Sequence, residues 1–528
     1  MTSVISGDIE GGKAVNRLNE LGYEQELDRS LSFLGILGLG MGLVCLPYTV
    51  YAISCIMFTE GGAVDFIYGW GIWGLLTIPI VLSMGEICSV YPIASGTYYW
   101  SYALAPLRQK RLGSFINGFL VTVGLILALL ATAFPMGQVI STAVVLFHPD
   151  YIIPTWLPYV IFLVLLVVTV ALCSAGTVFL DLFSRTGGVL IPIVTVVLFI
   201  VPLAKGTERH TIRWVLSNFE SYSGWNDAAS FLIGLLGPGG LLIGFGFLTS
   251  LCEEVDNPAV AVPRAMLITQ VVGVSTGLIF VFATLFTVPL GLDIASAQLG
   301  QAAYVIFDGV MDTKGGAFVL LILSTAMGFF LLTGTMTAAS RFLWAFARDG
   351  GLPGSKWLSV VHPRLKIPLN SMITVAVVDA LLGLISFGSS VAYGAFLSGC
   401  TIMLLFAYAQ PIIYVIMDRR RSMKDAQWSL GRWGWPINIV AVLVAILGSV
   451  LFLFPLSRPV TVLTMNWSVV LVAGFLAIGL FYYAVYGRKV FRAPAVADNE
   501  NAIPDTGSRE SKEEGFSTKV LPAEDIED

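Results

Sequence analysis

The sequence predicts an all-α integral membrane protein. It has about twelve transmembrane helices, read as a 5+5 inverted repeat with broken helices 1 and 6 plus two extra C-terminal helices. Three observations predict this. The composition is 56% hydrophobic and only 12% charged, with mean hydropathy +0.83, whereas soluble chains carry about 25% charged residues. Apolar stretches long enough to cross a bilayer (about 20 residues) recur along the whole chain. Two clusters of helix-breaking residues sit five spans apart, in the first and the sixth stretch.

The predicted spans are 33–57, 65–88, 114–147, 156–173, 183–203, 229–252, 265–290, 315–343, 369–388, 391–416, 434–455 and 465–486. The third is long enough to tilt or to project beyond the bilayer. No cleavable signal peptide is expected, because residues 1–30 are polar and the apolar run after them is too long for one. Residues 1–30 read as a cytosolic tail, with an amphipathic stretch from Leu21 to Leu27, and 31–490 as the transmembrane domain. Residues 491–528 read as a disordered, acidic cytosolic tail, in which Lys512, Lys519, Ser508, Ser511 and Ser517 could serve regulation.

Orientation follows from the basic residues. With the N-terminus inside, the cytosolic loops hold fifteen: Arg108, Lys110, Arg111, Arg185, Arg264, Arg341, Arg348, Lys356, Arg364, Lys366, Arg419, Arg420, Arg421, Lys424 and Arg432. The opposite loops hold five: Lys205, Arg209, Arg213, Lys314 and Arg458. Both termini are therefore expected in the cytosol. The net charge of −5 carries no basic stripe that would suit nucleic acid.

The first span contains Gly38, Gly40 and Gly42, then Leu46-Pro47. Each glycine costs a helix interior about 1 kcal/mol, and proline removes a donor. In lipid an unpaired backbone group costs several kcal/mol, so irregular backbone survives only against a polar cavity or within protein. The sixth span repeats the style with Gly237-Pro238-Gly239-Gly240 and Gly244-Phe245-Gly246. Two broken helices at positions one and six place a binding site halfway across the membrane, where half-helix N-termini meet an anionic group and freed carbonyls meet a cation. The competing reading is that the glycines only let helices pack closely.

The six cysteines (Cys45, Cys55, Cys88, Cys173, Cys252 and Cys400) are scattered singly through apolar segments. The three histidines (His148, His210 and His362) lie far apart in loops, so neither a metal site nor a cofactor is expected. Asn466-Trp467-Ser468 is a formal glycosylation sequon set against the last span. No nucleophile–base pair appears, which argues against an enzyme.

Several stretches carry a family likeness. The run Ser340 to Pro353 (SRFLWAFARDGGLP) resembles the loop after the eighth helix of amino acid–polyamine–organocation permeases. Glu253-Glu254-Val255-Asp256-Asn257-Pro258 with Val262-Pro263-Arg264-Ala265-Met266 resembles the loop after their sixth helix. Gly40-Met41-Gly42-Leu43-Val44-Cys45-Leu46-Pro47 resembles their first-helix break. Gly22 to Leu27, Glu86 to Pro92, Gly96 to Trp100, Ser223-Gly224-Trp225, Pro459-Val460-Thr461 and Met465-Asn466-Trp467 resemble the fungal amino acid/choline, GABA permease-like branch. The likeness runs in order from about Leu21 to Arg492.

This resemblance implies secondary active transport of amino acids or related amines by alternating access, with protons as coupling ion and the lipid bilayer as surroundings. It implies a substrate carboxylate on the backbone of Gly40, Met41, Gly42 and Leu43. The amine would meet carbonyls around Ile243, Gly244 and Phe245, with Phe245 as a gate. Tyr393 offers an aromatic face to the amine, against the plainer role of helix packing. Glu86, Glu253 and Glu254 are expected at an inner gate with loop arginines, because a charge deeper in the membrane costs at least about 2.5–3.5 kcal/mol. Arg185 could replace a sodium ion beside helices 1 and 8, or simply snorkel to the interface. Asp181 and Asp379 also lie in or beside apolar spans. Many relatives carry an aspartate near Gly246 and an asparagine near Gly394, so a roomier, less polar pocket is expected. The plasma membrane is the expected location, with a vacuolar or other internal membrane as the alternative. A choline, GABA or polyamine permease, a metabolite exporter, or a transporter-like nutrient receptor remain the rival readings.

Overall fold

The computed structural model describes residues 18, 23, 25–27, 29, 31–206, 209–288, 297–387, 392–462 and 464–491, the side chains of 392 and 393 excepted. Most of the N-terminal tail, and the C-terminal tail beyond Phe491 with its serines and lysines, lie outside the described residues. Phe491 itself is buried against Phe115 and Phe346, and its carbonyl accepts from Arg111, so the ordered domain extends to it.

Twelve helices among the described residues are long and apolar enough to span a membrane. The first six are α1 (Phe33–Glu60), α2 (Gly62–Val90), α3 (Lys110–Thr142), α4 (Trp156–Cys173), α5 (Thr177–Lys205) and α6 (Asp227–Leu251). The remainder are α7 (Pro258–Thr287), α8 (Lys314–Arg348), α9 (Leu369–Phe387), α10 (Ala392–Met417), α11 (Gly431–Leu451) and α12 (Ser468–Val490). Each corresponds to an apolar stretch of the sequence. Many hydroxyls inside them are satisfied locally: Thr122, Thr169 and Ser184 donate to the carbonyls of Gly118, Leu165 and Leu180 at 2.6–2.7 Å, which suits a lipid-embedded helix.

The packing repeats with a shift of five helices. α3 packs on α4 as α8 packs on α9, α3 on α10 as α8 on α5, and α1 on α5 as α6 on α10; α2 and α7 pack on each other. Five spans is an odd number, so the second half starts from the opposite face and the repeat is inverted. α11 and α12 lie outside it, against α10. α1, α3, α6 and α10 are mostly buried, whereas α4, α5, α9 and α12 turn much of their surface outward. The broken helices therefore run through the middle of the bundle.

Loops on the two faces are pinned by the motifs singled out above. Ser223 O accepts from Arg458 N at 2.6 Å, Trp225 Nε1 donates to Pro455 O at 3.0 Å, and the Arg458 guanidinium lies 4.1 Å from the Trp225 ring. Asn466 is buried, and its amide donates to the carbonyls of Phe452 (2.9 Å) and Phe454 (3.0 Å). Its nitrogen is committed inside the fold, so the sequon is closed to glycosylation.

Candidate functional site

α1 begins at Ser32, whose hydroxyl accepts from Gly35 N at 3.0 Å. It is helical to Val44, breaks at Cys45 (φ 36°, ψ 59°, left-handed) and resumes at Leu46. The break thus falls beyond the glycines. Gly40, Met41, Gly42 and Leu43 belong to the first half-helix, where their N–H groups serve its hydrogen-bond ladder. The glycines instead permit close approach. A methyl group on Gly38 would strike the Ser184 backbone of α5, and one on Gly40 would strike Thr269 of α7.

What the break frees lies just after. Residue 47 is proline and offers no N–H, so the Leu43 carbonyl has no i+4 donor. The second half-helix, Leu46–Glu60, starts with no side-chain cap; the Tyr48 and Thr49 N–H groups both donate to Cys45 O and residue 47 has none, which leaves the Leu46 N–H as the unbonded donor of the first turn. Cys45 is held in place by its thiol, which donates to Met327 O of α8 at 3.1 Å. Thr49 Oγ1 donates to Val44 O at 2.9 Å.

α6 breaks opposite. Gly237 to Gly240 remain helical and serve packing, Gly239 against Phe452 and Gly240 against Leu397. The α-helix ends with Leu242 N donating to Pro238 O at 2.9 Å, and Gly244–Leu251 continues as a 3₁₀ helix. Eight residues is long for that geometry, which mid-helix marks a hinge or strain. Gly244 faces α1: a methyl there would lie 3.5 Å from Leu43 Cβ and 3.9 Å from Leu43 O.

Between the two breaks lies a small cavity of about 40 Å³, below the roughly 300–1,000 Å³ usual for small-molecule sites. Leu43, Ile243 and Gly244 of the predicted site line it. Gly40, Met41, Gly42 and Phe245 sit behind the lining. Tyr393 occupies the first turn of α10, and its side chain lies outside the described residues. Gly240 of the second glycine cluster also lines it, and wall residues outside the predicted set include Tyr48, Thr49 and Ala52 from α1, Ala131, Thr132 and Pro135 from α3, Phe247 from α6, Thr335 from α8, and Leu397 and Cys400 from α10.

Phe245 is buried with its ring 5.7 Å from that of Tyr408. The Tyr408 phenol occupies the space a side chain at Gly246 would need, and its hydroxyl donates to Ile243 O over a long 3.5 Å. The room expected at Gly246 is therefore filled from α10 by another polar group.

On the face that carries the arginine-rich loops, the predicted carboxylates are paired and buried. Glu254 meets Arg341 at 2.7 Å with both side chains inaccessible to solvent; Glu253 meets Arg348 at 3.1 Å, and Glu86 meets Arg420 at 2.7 Å. The segment before α1 lies over them. Leu31 pairs with Val255, Gln25 Nε2 donates to Glu253 O at 2.8 Å, and the Arg348 guanidinium stacks 4.2 Å from the Tyr23 ring. Tyr23 and Tyr98 both donate to Asp349 Oδ2, at 2.9 and 2.8 Å. Burial raises the Asp349 carboxyl to about 6, against the lowering pull of Arg348 and the two tyrosine donors. This is a tight seal. Arg185 takes no part in it: the side chain is half-exposed and pairs with Asp181 on its own helix at 2.5 Å.

Comparison with known proteins bears on this arrangement. A sequence model described as amino acid permease matches residues 31–475. The choline transporter of Saccharomyces cerevisiae is 29% identical over 491 residues, covering 91% of this chain and 85% of the relative. The amino-acid permease BAT1 of Arabidopsis thaliana is 30% identical over 500 residues, covering 90% and 95%. Among solved structures, MhsT in complex with L-phenylalanine aligns with a TM-score of 0.55 at 15% identity, over 79% of this chain and 98% of that one. A manganese transporter of Eremococcus coleocola aligns at 0.53 and 13% identity, over 88% and 99%. At such identities these two speak for the fold alone, one whose broken first and sixth helices face a central cavity here. This chain belongs to the amino acid permease family, as a multi-pass secondary transporter of amino acids or related amines.

Proposed function

We propose that this permease imports zwitterionic amino acids across the plasma membrane, driven by protons. The observation that carries the reading is the pair of breaks, at Cys45 and at Leu242–Ile243, facing each other across one cavity. The substrate carboxylate sits at the uncapped start of the outer half of α1, where helix dipole and free N–H act together. The ammonium takes the carbonyls released at Leu43 and near Ile243. Glu253, Glu254 and Glu86 with their arginines close the path on the basic face, which we place in the cytosol from the arginine asymmetry. One charge moved through 100 mV is worth about 2.3 kcal/mol, enough for accumulation of the order of tens-fold.

The test is uptake of a labelled amino acid and amine panel by expressing cells, with and without a protonophore. Amino acids should accumulate and the protonophore should abolish accumulation. Among competitors, the methyl ester of the transported amino acid should be weaker than the acid by roughly tenfold, since the carboxylate forms the charge-assisted contacts. Equal inhibition by acid and ester, or a preference for choline, would remove the carboxylate site and favour the choline reading.

A further inference from the structure

We propose that Glu60 and Asp65 form the proton-loading site of this transporter, a step that rests on the proton-coupled reading above. Glu60 ends α1, and Asp65 opens a π-helical turn, Asp65–Gly69, at the start of α2. Such turns are frequent at functional positions. Both side chains are at most 1% exposed. Ser230 Oγ of α6 lies 2.5 Å from the Glu60 backbone carbonyl and 3.0 Å from Glu60 Oε2, either of which can accept its proton, yet Glu60 Oε1 and both carboxyl oxygens of Asp65 have no hydrogen-bond partner among the described residues.

The notch around Asp65 is cleared by glycine. A Cβ on Gly234, one helical turn after Ser230 on the same face of α6, would collide with Asp65 Oδ2, and one on Gly61 would lie 2.7 Å from Asp65 Cβ. Both acids thus face one side of the outer half of α6. Met57, Phe219 and Leu235 fill the surroundings. No ion pair among the described residues involves either acid. Of the other charged groups on the elements packed here, Glu220 and Arg213 in the covering loop and Asp227 at the head of α6 are exposed. The sole charge on α7, Arg264, lies near the helix's other end.

Two features favour a proton over a metal ion. Three free carboxyl oxygens fall short of the shell of six or more oxygens that a hard cation prefers. A hydroxyl chain also leads inward from the partly exposed Ser221 through Ser223 and Ser230 to Glu60, with steps of 2.9, 2.7 and 3.0 Å. Such a chain can pass a proton and cannot pass an ion. Two ionised carboxylates in a buried site repel each other and lose hydration. A proton between them lets the outer halves of α1 and α6, the two broken helices, close together, which links loading to gating.

The experiment compares the reconstituted full chain with Glu60→Gln and Asp65→Asn, reading uptake with an acid-outside pH gradient against uptake without one. The transported amino acid of the panel is the probe, and pH-dye influx is read in parallel. Gradient stimulation should be lost in both variants, with the ratio falling to one, together with substrate-induced proton influx. Where a variant reaches the membrane but transports nothing, Ser230→Ala decides. It leaves both carboxyls in place and should weaken stimulation by roughly fivefold, the loss of one hydrogen bond. Full stimulation in Glu60→Gln, Asp65→Asn or Ser230→Ala, with proton-driven wild-type uptake, overturns this site alone. Wild-type uptake that ignores the gradient, or follows sodium instead, overturns the proton reading itself.

Discussion

Gly244 shows how a single residue sets the site. It stands at the start of the 3₁₀ run, and a methyl group there meets only ordinary van der Waals distances to Leu43. A leucine would project into the cavity between the breaks. Gly244→Ala should therefore retain much of the uptake, while Gly244→Leu should abolish it at normal surface abundance, measured as uptake per molecule delivered to the membrane. Wild-type uptake by the leucine variant would show that the substrate passes elsewhere. Gly246 is different, because the Tyr408 phenol already holds its space. Sequence could show the missing side chain at 246; it could not show which of eighteen tyrosines fills the gap, since that depends on how α10 packs beside α6. Glu60 and Asp65 escaped notice for a related reason. They fall where one apolar stretch ends and the next begins, where acids are ordinarily solvated, and α6 together with the covering loop Asn218–Tyr222, whose Asn218 O accepts from Val64 N, buries them.

At the scale of elements, the glycine clusters marked the right helices; the first break falls at Cys45, inside the Gly40–Pro47 run but past its glycines, and the sixth at Leu242–Ile243, just before Gly244. Breaker residues raise the cost of a helix, yet Gly38 and Gly40 relieve it by letting α5 and α7 approach, so the chain stays helical until Pro47 withdraws a donor. The seal on the basic face was better marked, because buried carboxylates need cations, although the arginines that pair with Glu254, Glu253 and Glu86 lie 87, 95 and 334 residues away in the sequence. Within it, Asp349 gives a pH signature. Its carboxyl is raised to about 6 by burial, from about 3.9 in an unfolded chain. The sealed form therefore binds a proton more tightly than the opened one, and its stability rises as pH falls through 6. Between pH 7 and pH 5 the gain is about 1 kcal/mol, by linkage. Asp349→Asn should flatten this part of the pH dependence of thermal stability of the purified protein. An unchanged pH slope in that variant would mean that Asp349 ionises freely in the sealed form.

At the scale of the molecule, the repeat fixes which ends of the helices share a face, and the arginines choose the side of the membrane. With fifteen basic residues on one set of loops and five on the other, the segment before α1 and the Arg419–Arg432 loop share a face that should be cytosolic. Cysteine labelling tests this cleanly, because five of the six native thiols are buried and Cys55 is half-buried. Arg432 is exposed at the foot of α11, and Arg213 is exposed on the short helix Ile212–Ser217 between α5 and α6. In intact cells a membrane-impermeant maleimide should label Arg213→Cys and leave Arg432→Cys unlabelled until the membrane is opened. If the protein resides in an internal membrane, the Arg432 position becomes the accessible one in sealed organelles, since its face still looks into the cytosol. Labelling of Arg432→Cys on intact cells, with Arg213→Cys protected, would invert the orientation. It would then put the Glu253, Glu254 and Glu86 seal on the outside and turn the closed path into the one by which substrate enters.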